Sequence, residues 1–177
     1  DAVTDGRVGG GVLSLYQAAT CTGTPVATTT TGADGAYIFS AVSAGLAYAI
    51  CQTQPLGYGD ASVNPGTGAV TPGANVITIA TLASTGSVGN DFGETIGSIA
   101  GFVYRDFGAA APAIRNNGVK EADELGIANV PVTLSGIDAA GASVSRTVTT
   151  DATGAYVFSN LLAPNATGYT ITEGTIP

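Results

Sequence analysis

The chain has 177 residues, a formal net charge of −8 and only five Lys plus Arg, so it has no basic face for nucleic acid or anionic membrane. It contains no His, which removes His-based catalytic triads and imidazole metal sites. Charged residues make up 10% of it, against roughly 25% in a typical soluble domain. A surface of Thr, Ser, Ala, Gly and Asn suits a secreted β-rich protein.

The 26 Gly and 8 Pro interrupt the chain too often for long helices. Short alternating or β-branched runs predict strands instead. In order these are GVLSLYQ (11–17), PVATTTT (25–31), AYIFS (36–40), AYAICQT (47–53) and NVITIATL (75–82). They continue with SIAGFVYRD (98–106), VPVTLSG (130–136), SVSRTVTT (143–150), AYVFSN (155–160) and YTITE (169–173). Turns every ten residues or so between such runs predict an all-β chain of antiparallel sandwiches. No apolar run approaches the length of a membrane span, which predicts no membrane insertion.

One line is written twice: TTGADGAYIFS (30–40) and TTDATGAYVFS (149–159). Thr31 aligns with Thr150, an offset of 119 (150 − 31), and the same offset pairs Leu15 with Leu134, Tyr37 with Tyr156 and Phe39 with Phe158. Tyr48 and Ile50 match Tyr169 and Ile171 at an offset of 121 (169 − 48). Such a period predicts two similar sandwiches in tandem, residues 1–96 and 97–177. The repeated line reads as a hairpin. A Thr strand leads to a turn at Gly35 or Gly154, where positive φ is cheap, and then to a Tyr/Phe pair on one face, expected in the core.

The pieces of the second copy are Gly101 to Asp106, the Asn-Gly acidic loop ending at Glu124, GIANVPVTL, TDATGAYVFSNL and YTITE. In this order they resemble the SdrD B-like and CnaB-like repeats of bacterial surface proteins over nearly all of 98–177. The first copy resembles them over about 12–94. The resemblance implies an immunoglobulin-like or prealbumin-like sandwich used as a rigid segment of adhesins and stalks. The copies are incomplete at opposite ends. Copy one has no counterpart of SIAGFVYRD, and copy two has none of 57–94. Either the chain is a slice of a longer array, or it is a fibre subunit whose neighbours complete it by strand addition.

The candidate chemistry is sparse. Asp106, Asn117, Glu121 and Glu124 match the family's calcium-binding loop and supply the oxygens that cation takes. The inserted FGAAAPAIR (107–115), Arg115 and Lys120 depart from the pattern. The alternative is a solvated acidic loop with a turn at Asn117-Gly118. Cys21 and Cys51 are expected to pair in an oxidising compartment; the alternative is two buried free thiols. No isopeptide bond is expected, because Lys120 lies in the loop, Arg105 holds the early strand, and the residue matching Glu173 in copy one is Gln52. No catalytic residue is expected, and the chain is read as no enzyme. The predicted role is an extracellular, cell-surface spacer of an adhesin or fibre, with neighbouring copies as its partners. Its rivals are a subunit polymerising by strand complementation and an adhesive module gripping a host protein or glycan through its loops.

Overall fold

The computed structural model describes residues 6–107 and 116–177. No helix occurs among them, and so none is long and apolar enough to cross a membrane. The chain divides into two compact units, Asp1–Thr95 and Ile96–Pro177.

The first unit holds β1 (Val12–Tyr16), β2 (Ala27–Thr30), β3 (Tyr48–Thr53), β4 (Gly59–Asn64), β5 (Ala69–Gly73), β6 (Val76–Ile79) and β7 (Asp91–Thr95). An antiparallel sheet runs in the order β2-β1-β3-β6-β5, and β4 pairs with β7 in a second ladder. Alternation along VLSLY sends Leu13 and Leu15 inward. They meet Tyr48, Ile50, Ile77 and Ile79, and Tyr37, Phe39, Val63 and Phe92 close over this cluster.

The second unit holds β8 (Gly97–Phe102), β9 (Pro131–Asp138), β10 (Ser143–Thr149), β11 (Ala155–Leu161) and β12 (Pro164–Glu173). Its ladders are β10-β9-β12 and β11-β8. Val132 and Leu134 of β9 pack with Phe158 and Leu161 of β11, joined by Ile99 of β8. A core between two antiparallel ladders is the β-sandwich that strand spacing predicts.

Two strand expectations need correction. Residues 36–40 (AYIFS) form no strand, although their counterpart is β11. Strand status requires a ladder partner, and β11 has β8 while 36–40 have none among the described residues. Nor is the repeated line a hairpin. β10 pairs with β9, whereas β11 pairs with β8, so the turn between them carries the chain from one layer to the other. Reading along the chain also misses β4, β5 and β7. GDASVN, AVTPG and DFGET are short and Gly-bearing with no sustained apolar alternation, and Pro72 is tolerated because β5 is an edge strand.

Candidate functional site

The turn of the repeated line is built by a buried threonine. In the second unit the Thr150 hydroxyl donates to Ile127 O (2.8 Å) and accepts from Val130 N (2.9 Å), while the Asn129 amide donates to Thr150 O (3.0 Å). In the first unit Thr31 donates to Val8 O (2.7 Å) and accepts from Gly11 N (2.8 Å), and Gly10 N donates to Thr31 O (2.9 Å). Every partner is displaced by the same 119 positions. Backbone twist follows suit: φ is +72° at Gly35 and +78° at Gly154, and +57° at Ala41 and +54° at Asn160. The aromatic pairs match as well, with ring centroids 5.9 Å apart and edge-to-face in both Tyr37–Phe39 and Tyr156–Phe158. Tyr48 and Tyr169 each donate to a carbonyl, of Ser43 (3.1 Å) and Leu162 (3.0 Å). The aromatics thus belong to the cores, as alternation implies.

The acids of the two turns sit at different places. Asp34 caps the Ala36 amide (3.0 Å). Asp151 accepts from the Thr153 hydroxyl (2.7 Å), the Thr153 amide (2.7 Å) and the Ala155 amide (3.1 Å). These bonds, the hydroxyl foremost, hold the Asp151 carboxyl below the usual range.

Around this common frame the units differ at one edge. β11 lies against β8 with Tyr156 opposite Gly101 and Phe158 opposite Ile99. The Tyr156 ring covers Gly101 so closely that a Cβ there would stand 2.6 Å from its hydroxyl. A Cβ on Gly154 would meet Val103 O at 2.2 Å, and the Val103 amide donates to Gly154 O (2.9 Å). At Gly35 the nearest atom to such a Cβ is on Arg7, at 3.5 Å. Residues 37–40 make no backbone hydrogen bond among the described residues. Ile38 is 76% exposed, and Phe39 is half-buried where Phe158 is fully buried. A cleft runs beside this segment, walled opposite by Asp91, Phe92, Gly93 and Glu94. The Tyr37 hydroxyl reaches across to Asn90 O (2.6 Å), and burial, then Asp91, pushes its pKa well up. Sequence reasoning missed the Gln54 amide bonded to Glu94 (2.6 Å) at the β4–β7 ladder. Burial raises the Glu94 pKa above the usual carboxylate range. No spacing in the sequence signals that pair.

The predicted calcium residues lie in one loop. Asp106 accepts from the amides of Asn117 (3.2 Å) and Gly118 (2.7 Å), Asn117 Nδ2 donates to Glu121 Oε1 (2.7 Å), and Glu124 Oε2 accepts from the Glu121 amide (3.1 Å). Glu124 is buried, and Glu121 Oε2 is buried without a hydrogen-bond partner. Among the described residues, however, no three His, Cys, Asp or Glu side chains are grouped to hold a metal ion. The donors therefore fit a cation in part: Glu121 Oε2 is unspent, while both Asp106 oxygens, Glu121 Oε1 and Glu124 Oε2 already accept bonds within the loop. Lys120 Nζ donates to Glu124 O (3.0 Å) and sits 5.4 Å from the centroid of the Phe102 ring. Arg115 lies outside the described residues.

Cys21 and Cys51 are joined, with Cα atoms 6.0 Å apart. The bond ties the loop after β1 to the middle of β3 and leaves no free cysteine among the described residues.

Comparison with known proteins agrees with this geometry. A segment of the chain is 38% identical over 73 residues to Colossin-A of Dictyostelium discoideum, covering 36% of this chain and 1% of Colossin-A. No solved structure matches. Residues 97–175, nearly the whole of the second unit, match the model of the SdrD B-like domain.

Proposed function

We propose that the chain is a non-enzymatic, extracellular structural segment of a bacterial surface adhesin or fibre, two SdrD B-like modules in tandem that hold a distal part at a distance. The observation that carries this is the family match of 97–175 together with the same Thr-centred hydrogen bonds 119 positions earlier, outside the matched segment. The disulfide supports an oxidising, cell-surface setting. Mechanical work suits the fold, because antiparallel ladders bridged by side-chain cores resist extension, and the Cys21–Cys51 link takes 30 residues of sequence separation out of any stretch.

Pulling the full chain by its ends in single-molecule force spectroscopy tests the reading. Two discrete unfolding peaks are expected, with reductant lengthening the step of the first unit alone. A chain that extends without resolved peaks is a compliant linker and ends the proposal.

Calcium belongs to the same proposal. Asp106, Asn117, Glu121 and Glu124 would hold it, and it would stiffen the loop that joins β8 to β9. Support comes from the orphan Glu121 oxygen and the backbone-fixed Asp106. Melting curves with calcium and with chelator are expected to separate for the second unit, and to coincide in Glu121→Gln. Coincident curves for the unaltered chain count against the ion.

A further inference from the structure

We propose that residues 35–40 of the first unit are an acceptor edge that binds an extended strand with the chemistry of 97–103, supplied by a neighbouring domain of the same kind. The inference deepens the reading of the chain as a string of modules by naming what seats against one of them.

The second unit displays the occupant in place. Its strand GSIAGFV runs antiparallel to β11, puts Ile99 and Val103 against the core, and sets Gly101 under the Tyr156 ring. Transferring this register by 119 positions sets the incoming glycine opposite Tyr37, the incoming isoleucine opposite Phe39, and the incoming valine amide on Gly35 O. The first unit has what such a strand needs. Its backbone from Tyr37 to Ser40 makes no hydrogen bond among the described residues, and a Cβ on Gly35 would meet only Arg7 and Val8 at ordinary contact distance, where Val103 O crowds Gly154. Phe39 stands half-exposed for want of an isoleucine to cover it. Across the cleft, among the described residues, β7 is hydrogen-bonded on one edge only, to β4. A strand entering there would lie between two free edges and join them into one sheet. Open edges with unspent N–H and C=O groups take up strands of matching pattern. Specificity comes from the pockets on alternate residues, here a small residue at Tyr37 and a branched apolar one at Phe39.

In an antiparallel pair only alternate residues of each strand turn their amides to the partner. The Val103–Gly154 bond sets that phase, so the amides of Tyr37 and Phe39 point to the incoming strand and that of Ile38 points away. The test uses the full chain, isotope-labelled, and a synthetic peptide of residues 97–105, GSIAGFVYR. Expected are saturable shifts at Tyr37 and Phe39, at least tenfold slower hydrogen exchange at those two amides but not at Ile38, and a higher Tm for the first unit. A peptide with Gly101→Val, which crowds Tyr37, is expected to bind at least tenfold more weakly. Absence of shifts at millimolar peptide, equal binding of the Gly101→Val peptide, or shifts confined to Tyr156 and Phe158 through exchange with β8 would overturn the proposal. Such a failure leaves the force-spectroscopy result, and with it the structural reading, untouched.

Discussion

The two units bury opposite halves of the same pattern. Phe158 is 0% exposed because β8 lies over it, while its counterpart Phe39 is half-buried beside an empty edge. Conversely Ile50 is 4% exposed because β6 pairs with β3, while its counterpart Ile171 is 39% exposed on β12, which ends its sheet. Similar local sequence therefore does not set burial. The neighbouring strand does, and among the described residues each unit shows a neighbour that the other does not. The buried threonine and the Gly turn are unaffected by this difference, because their hydrogen bonds are made within 23 residues along the chain.

Calorimetry of the full chain, with one transition for each unit, offers ways to break or sharpen this contrast. The largest effect is expected from Phe158→Ala, which should lower the second transition by about 3–5 kcal/mol, the usual cost of emptying an aromatic core site. Phe39→Ala, already half in water, should cost the first unit only about 1–2 kcal/mol. Equal losses would mean that Phe39 is as well covered as Phe158 and that the edge is not open. Next is the disulfide. Reduction, or Cys21→Ser with Cys51→Ser, should destabilise the first unit by about 3–4 kcal/mol through the freed loop and leave the second in place. Movement of both transitions would show that the units do not melt independently.

Thr150→Val should cost about 1–3 kcal/mol, because it strands the Val130 amide and Ile127 carbonyl in a buried site. Thr31→Val should cost less, since its site is only part-buried and water can reach the orphaned groups. A reversed order would overturn the view that the missing strand admits solvent to the first unit. The smallest expected effect is one of pH. The depressed carboxyl of Asp151 contributes stability that is complete above the ordinary aspartate pKa of about 3.9. That contribution is lost as pH falls through the lower folded value. Asp151→Asn should flatten the acid limb of the second transition, read as Tm against pH, and leave that of the first unchanged.

Much of the candidate site was legible residue by residue. Tyr37, Phe39, Tyr156 and Phe158 announce a core by alternation, and Cys21 and Cys51 suggest a pair. The acidic loop could be located but not resolved. Asp106 and Asn117 turn their oxygens to the loop's own amides, which composition alone does not show. The Gln54–Glu94 contact left no mark, because its two residues stand 40 positions apart with no periodicity linking them.

The sequence by itself determined the all-β class and the glycine turn of the repeated line. These rest on local terms: alternation, β-branched runs, and glycines where φ must be positive. Only the tertiary structure decided that AYVFSN is a strand while AYIFS is not. A strand is defined by hydrogen bonds to a partner distant in sequence, which local propensity does not supply.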